Sequence, residues 1–315
     1  MGVKVRYKGY DLEFASYPSA EEILQAYDEF RQAVRSCTRQ DHPFSIPRAT
    51  RGEGLPLSFI QEALWLQEDL HPGSAAYNLP AAVRLSGDLD VAALERSLAE
   101  VVRRHEALRT RFPLVNGRPV QVVSPPQPLT LPQIDFTQLE PAMQGIAVQE
   151  AVSREAAQAF SLEDGPLLRN KLLKLSADEH VVLLTVHHIV FDAWSAGILL
   201  QELAALYETY STGGDSALPE LPLQYADFAQ WQREQLTGET LNSMIDYWRE
   251  QLAGAPALLQ IPSDFPRPPK IDPEGTRYFF HLPPELTAKL KQLAGQEKVT
   301  LFTLLLAAFL VLLTK

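Results

Sequence analysis

The 315-residue sequence has very little cysteine, a shortage of positive charge and no long apolar run. Cys37 is its single cysteine, which excludes an internal disulfide and favours a reducing compartment, so we expect a cytoplasmic protein. The 39 acidic residues outnumber the 28 basic ones, and the net charge of −11 argues against nucleic-acid binding and against a polybasic membrane anchor. The apolar segment Leu301–Leu313 is too short to span a membrane, because a spanning helix needs about 20 residues.

Two common kinds of active site are also missing from the sequence. No G-x-S-x-G segment is present, so a serine nucleophile of that type has no obvious carrier. His187 and His188 are the only adjacent candidate metal ligands, and they lack a suitably spaced cysteine or histidine partner. We therefore expect neither a bound metal nor a directly bound cofactor.

The sequence does contain a conspicuous histidine motif. The apolar run Val181–Val186 predicts a buried strand, and His187 and His188 follow where that strand ends and a loop begins. Asp192 comes four positions after His188 and could orient an imidazole or form an ion pair with a buried arginine. Ser195 is a candidate cap for the next helix. Two ordinary half-buried histidines are the alternative interpretation.

The surrounding pattern predicts a layered α+β protein, because strands and helices are mixed without strict alternation. We expect a hairpin over 3–14, a hairpin around Asn116-Gly117 and strands at 82–85, 167–175, 180–186 and 278–282. Helices are predicted near 23–34, 58–69, 90–105, 144–160, 197–209, 239–252, 284–295 and 300–313. The predicted organisation is an extension and linker at 1–45, a main lobe at 46–261, and a Pro-rich connection with an incomplete second lobe at 262–315.

Four stretches of the sequence resemble, in order and spacing, the sequence blocks of nonribosomal peptide synthetase condensation domains. The segment His187–Asp192 resembles the block in which two histidines, three variable residues and an aspartate mark the active site of that family. Three further blocks carry the resemblance: the first at Ser58, Gln61, Leu64 and Trp65, the second at 104–112 and the fourth at 225–233. The resemblance covers about residues 55–315 and is very specific.

The resemblance implies a lobe of the chloramphenicol-acetyltransferase type, complete at the N-terminal side and followed by the start of a second lobe. It implies amide formation between substrates held on the phosphopantetheine arms of donor and acceptor peptidyl carrier proteins. His188 is implied as the base or as the group that positions the attacking amine, and His187 as a packing residue. Asp192 is implied as a structural residue paired with an arginine, for which Arg109 is the candidate.

The sequence departs from the family pattern at three positions, one of which is Ile60 where alanine is usual in the first block, and it leaves alternatives open. Ala193 stands where glycine is usual after the aspartate, and Ala63 stands where arginine is usual in the first block. A truncated, non-catalytic module that docks carrier proteins is one alternative, and an epimerisation or ester-forming relative is another. Residues 1–37 are a candidate docking element for an upstream synthetase subunit, or a plain N-terminal extension.

Overall fold

The structure is a computed structural model that describes residues 46–52, 54–216, 218–256, 265–266 and 280–313, and the backbone of residues 3–7 and 10–14. The chain divides into two compact units, Met1–Ile245 and Asp246–Lys315. The predicted lobe boundary at 261/262 remains a prediction. The predicted helix at 23–34 and Cys37 lie outside the described residues, as does most of the Pro-rich connection.

Six strands form the central sheet of the first unit. In chain order, all the strands that the structure describes, including four outside this sheet, are β1 (Val3–Tyr7), β2 (Tyr10–Phe14), β3 (Asn78–Ser86), β4 (Thr110–Arg111), β5 (Leu114–Val115), β6 (Arg118–Pro119), β7 (Val122–Val123), β8 (Gln133–Asp135), β9 (Leu168–Lys174) and β10 (Glu179–His187). The sheet order is β1-β2-β3-β10-β9-β8, with antiparallel pairs except for the parallel pair β8 and β9. The predicted hairpin at 3–14 is therefore confirmed, and it extends the edge of the sheet next to β3.

The helices of both units lie close to their predicted positions. They are α1 (Phe59–Leu70), α2 (Val91–Arg104), α3 (Pro141–Ala157), α4 (Ala193–Ser211), α5 (Tyr225–Gln235), α6 (Gly238–Gln251), α7 (Pro284–Gln296) and α8 (Leu301–Leu313). Side-chain caps explain several of the starts. Ser58 forms a capping box with Gln61 at α1, and the Asp90 carboxylate accepts the Ala93 N–H at α2.

The central strand β10 is apolar along its length because helices cover both faces of the sheet. Val182, Leu184 and Val186 pack on one face against α2 and α4. Val181 and Leu183 point to the opposite face, where α3 covers them. Since successive side chains of a strand point to opposite faces, only a three-layer arrangement buries such an unbroken apolar run. The layered α+β class predicted from the sequence is thus the observed one.

The hairpin predicted around Asn116-Gly117 differs from expectation in its strand pairing. Asn116 and Gly117 both have positive φ, 53° and 75°, as a tight two-residue turn requires. The turn joins only the short strands β5 and β6, whereas β7 pairs with β4 further back in the chain. Beyond these strands the Val120 N–H donates to the Pro113 carbonyl at 3.0 Å, but Pro113 has no N–H to return the bond, and the local ladder ends there.

The second unit contains the end of α6 and the helices α7 and α8. Among its described residues Ala294 alone is a buried hydrophobic side chain, and the apolar side chains of α8 are largely exposed. The strand predicted at 278–282 is not found, since residues 280–282 are irregular; residues 278 and 279 lie outside the described residues. Within the described residues no helix alone is long and apolar enough to cross a membrane, although α7 and α8, bent by 104°, pass that test as a pair.

Candidate active site

The histidine motif lies where β10 ends and α4 begins. The His187 N–H donates to the Leu167 carbonyl at 3.0 Å, and the His188 N–H donates to the Tyr77 carbonyl at 2.9 Å. His187 is the last residue of β10, and His188 begins the turn that follows, in which the Val190 N–H donates to the His187 carbonyl at 3.1 Å. His187 is 2% exposed, whereas His188 is exposed to solvent.

His187 is held as a neutral imidazole with a defined tautomer. Burial, together with the neighbouring His188, lowers the pKa of His187 to about 4, so the ring is uncharged at neutral pH. Its Nδ1 accepts the Ile189 N–H at 3.1 Å, which places the ring proton on Nε2. That Nε2 lies 3.3 Å from a carboxylate oxygen of Glu68. His187 is thus fully engaged inside the protein.

His188 has the opposite tautomer. Its Nδ1 lies 2.8 Å from the Phe191 carbonyl oxygen, and since a carbonyl can only accept, Nδ1 carries the proton. No described residue forms a hydrogen bond with Nε2, so the lone pair of this nitrogen is free, and the side chain that carries it is exposed. An imidazole held in this tautomer is ready to accept a proton at Nε2.

Asp192 is the N-cap of α4 and is exposed. One of its carboxylate oxygens accepts the Ser195 N–H at 2.8 Å and the Ser195 hydroxyl at 2.7 Å. Ala193 is the first residue of the helix and lacks a positive φ, so the methyl group that replaces glycine fits without backbone strain.

The ion pair between Asp192 and Arg109 is not found in the described part of the chain. Arg109 donates instead to the Ser124 carbonyl and lies 3.8 Å from a Glu106 oxygen. The structure therefore brings His187, His188, Asp192, Ala193 and Ser195 together, while Arg109 holds the loop that follows the second block. Asp192 satisfies its carboxylate locally because the first turn of α4 offers unpaired N–H groups.

Two groups of residues support the motif in ways that the sequence did not predict. Gln61, Arg104 and His105 were named only as parts of the family blocks, and Glu68 and Glu202 were not named. Glu68 of α1 contacts His187, and the Gln61 amide lies 3.4 Å from the Ile189 carbonyl. The two residues are seven apart and share one helix face with Leu64 and Trp65. A carboxylate on that inward face is the signal that sequence reasoning could have used.

The second group links α2 to α4. Arg104 donates to both oxygens of Glu202, at 3.0 and 3.2 Å, and the His105 ring lies 2.9 Å from one of them. Burial raises the pKa of Glu202, but the hydrogen bonds from His105 and Arg104 outweigh it and lower that pKa to about 2. A cavity of about 190 Å³ lies between His105, Phe191 and Ser195 on the same side of the sheet.

The condensation-domain family model matches residues 52–315. This chain belongs to the condensation-domain family. Chondramide synthase cmdD of Chondromyces crocatus is 44% identical over 271 residues, which cover 86% of this chain and 7% of that protein. Phosphinothricin tripeptide synthetase PhsC of Streptomyces viridochromogenes is 39% identical, covering 90% of this chain and 26% of that protein. The chain thus spans only a small part of these relatives, and the family predicted from four sequence blocks is confirmed.

Solved condensation-domain structures share the fold. The first condensation domain of the CDA synthetase gives a TM-score of 0.63 at 23% identity, covering 79% of this chain and 59% of that one. The X-domain from teicoplanin biosynthesis gives a TM-score of 0.63 at 32% identity, covering 71% of this chain and 49% of that one. The chain thus spans about half of each solved chain. Among the described residues no group of three or more histidine, cysteine, aspartate or glutamate side chains could hold a metal ion.

Proposed function

We propose that this condensation domain forms amide bonds between carrier-bound substrates, with His188 as the base. The observation that carries the proposal is the exposed His188 ring, whose Nδ1–H is held by the Phe191 carbonyl at 2.8 Å so that Nε2 has a free lone pair. The acceptor amine attacks the carbonyl carbon of the donor thioester. Nε2 takes the proton that the amine loses, and the C–S bond breaks. The products are the amide and the thiol, which receives that proton.

The other motif residues support His188 rather than react. His187 is buried and neutral, and both of its ring nitrogens are engaged by Ile189 and Glu68. Asp192 caps α4 and fixes the start of the helix through Ser195. A thioester is already activated, so holding two tethered substrates in position provides much of the rate enhancement. One general base is then sufficient for the proton transfer.

The proposed partners follow from the family. Donor and acceptor peptidyl carrier proteins present the substrates on phosphopantetheine arms, so the domain needs no cofactor of its own. The docking role proposed for residues 1–37 in binding an upstream synthetase rests on a segment of which the structure describes only the two backbone strands. A cytoplasmic location stays a prediction.

The proposal is tested by intact-mass measurement of the acceptor carrier after mixing this protein with donor-loaded and acceptor-loaded carrier proteins. We expect the acceptor carrier to gain mass with the unchanged protein. With the His188→Ala variant the rate of this gain should fall by a factor of at least about a hundred, as expected for removal of a general base. His71→Ala is the matched control, because His71 is an exposed histidine that follows α1, and among the described residues only its backbone forms hydrogen bonds.

A gain that persists in His188→Ala would overturn the assignment of the base. An acceptor with a hydroxyl group in place of the amine separates amide from ester formation in the same assay. Circular dichroism of both variants shows whether the fold is intact.

A module that only binds other proteins is the second candidate function. The solved structure of the teicoplanin X-domain in complex with OxyB, 33% identical to this chain with a TM-score of 0.63, favours it. A folded protein that binds carrier proteins without any mass gain would support this candidate instead.

A further inference from the structure

We propose that Glu68 is a positioning residue of the active site, acting on His188 through His187 and the turn that joins them. The inference rests on the proposed function, since it assigns a role in the same reaction. Glu68 does not touch the exposed ring of His188. It acts through a chain of hydrogen bonds that begins on α1 and ends at the Phe191 carbonyl.

The first link joins α1 to the buried histidine. The Glu68 side chain is 10% exposed, that of His187 is 2% exposed, and Oε1 of Glu68 lies 3.3 Å from Nε2 of His187. Tyr77 and Phe160 flank the imidazole, with ring centroids 6.2 and 6.0 Å away. In the described part of the chain the Glu68 oxygen is the only hydrogen-bond partner of that Nε2.

The second link passes from His187 to the turn. Because Nε2 donates to Glu68, Nδ1 is an acceptor and receives the Ile189 N–H at 3.1 Å. The Val190 N–H donates to the His187 carbonyl at 3.1 Å, and the Phe191 N–H reaches the His188 carbonyl at 3.4 Å. These bonds shape the turn that carries the Phe191 carbonyl back to Nδ1 of His188.

Without Glu68 only the Ile189 N–H still favours the Nε2-protonated tautomer of His187. A buried Nε2–H with no acceptor is unfavourable, and moving the proton to Nδ1 would remove the acceptor for the Ile189 N–H. In the molecules in which the proton moves, the turn is loosened, and with it the carbonyl that keeps the proton of His188 on Nδ1. The base would then present Nε2 as an acceptor in only part of the molecules.

The burial of a carboxylate at this place also favours a role beyond stability. Desolvation raises the pKa of Glu68, which means that the protein holds this group in an unfavourable environment. Replacing a buried polar pair by apolar side chains is often neutral or stabilising, so packing alone gives no reason for a carboxylate here. Setting the tautomer does require a hydrogen-bond acceptor at this place, because His187 must donate at one nitrogen and accept at the other.

The test compares Glu68→Ala, Glu68→Gln and Asp69→Ala in the full chain. Asp69 is the neighbouring, exposed carboxylate on the same helix and serves as the charge-matched control. The first readout is the long-range ¹H–¹⁵N spectrum of the histidine side chains, which distinguishes the two tautomers without any substrate. The second is the condensation rate as a function of acceptor-carrier concentration.

We expect the unchanged chain and Asp69→Ala to show His187 protonated at Nε2 and His188 protonated at Nδ1. Glu68→Ala should give mixed tautomers at both rings and a kcat lower by roughly tenfold to a hundredfold, with little change in KM, as expected for a misplaced reacting group. Glu68→Gln should restore the tautomers and most of kcat, because the glutamine carbonyl accepts the same hydrogen bond.

Unchanged tautomers and an unchanged kcat in Glu68→Ala would overturn the inference. If Glu68→Ala does not fold, Glu68→Gln decides, because a glutamine that fails to keep the Nε2-protonated form of His187 contradicts the role. The outcome is separable from failure of the proposed function, since the spectra report the tautomers even if neither carrier is modified and His188→Ala has no effect.

Discussion

Two adjacent histidines illustrate how position alone assigns different chemistry to the same side chain. His187 ends the buried strand β10 and points inward, where burial lowers its pKa to about 4. His188 is one residue further on, points outward and keeps a free Nε2. The end of the strand produces this difference, because His187 still lies in β10 whereas His188 begins the exposed turn. The hydrogen bonds at each Nδ1 fix the two tautomers.

Asp192 gives a prediction at the level of a single residue. Because its carboxylate caps α4 by accepting the Ser195 N–H at 2.8 Å, Asp192→Ala should lower the free energy of unfolding by about 1 kcal/mol. Asp192→Asn should stay within a few tenths of a kcal/mol of the unchanged chain, since asparagine is an equally good cap. Urea unfolding measures both. Equal destabilisation by the two variants would show that the negative charge matters more than the cap.

The elements that support the motif are held by charged contacts as well as by the apolar core. α2 and α4 lie side by side on one face of the sheet, and Leu98, Leu199 and Leu206 fill the space between these helices and β9 and β10. Arg104 and His105 at the end of α2 bind Glu202 in the middle of α4. Because α4 begins at the motif, this contact helps to fix the direction in which the helix leaves Asp192.

The lowered pKa of Glu202 predicts an acid dependence of stability. The pKa is about 2 in the folded chain and has an ordinary value of 4.5. As the pH falls, Glu202 therefore takes up a proton in the unfolded chain before it does so in the folded chain. The stabilisation by Glu202 is complete above pH 4.5 and is lost as the pH falls towards 2.

Between pH 6 and pH 3 the unchanged chain should lose roughly 2 kcal/mol of unfolding free energy more than Glu202→Gln does. Urea unfolding of both proteins at the two pH values measures the difference. Parallel losses in the two proteins would contradict the assignment of this pKa.

At the level of the whole molecule, one buried carboxylate joins parts of the chain that are far apart in sequence. Asp227, 1% exposed, accepts the Ala49 N–H at 2.9 Å and an Arg51 N–H at 2.7 Å, and its other oxygen accepts the Gln224 N–H at 2.7 Å. Arg51 also bonds to Glu106 in the second block. The start of the family match, the second block and the fourth block therefore meet at one network.

Removing that carboxylate should destabilise the first unit as a whole. Asp227→Ala leaves two N–H groups without their acceptor and removes one of the two carboxylates that bind Arg51, and we expect the free energy of unfolding to fall by roughly 3 kcal/mol. Asp215→Ala is the control, because the Asp215 side chain is 99% exposed and, within the described residues, pairs only with Arg96 at the surface. Thermal and urea unfolding measure both variants. A loss no larger than that of the control would show that the network has no structural role.

Local patterns in the sequence were sufficient for most elements and for the family. The apolar run 181–186 and the Asn116-Gly117 turn each predict a structure that depends on neighbouring residues. The motif residues His187, His188 and Asp192 were found because they are close together in the chain. The family could be recognised for the same reason, since each of its blocks is a continuous segment.

Contacts between distant segments decided the rest. No strand is found at residues 280–282, the described part of the strand predicted at 278–282. The strand β7 pairs with β4, because pairing depends on which segments meet and not on local propensity. Arg109 bonds to Ser124 and not to Asp192, and Glu68 lies against His187 across 119 residues of sequence. Packing decides which partner a buried charged group has, because burial excludes water and leaves only the adjacent polar groups available.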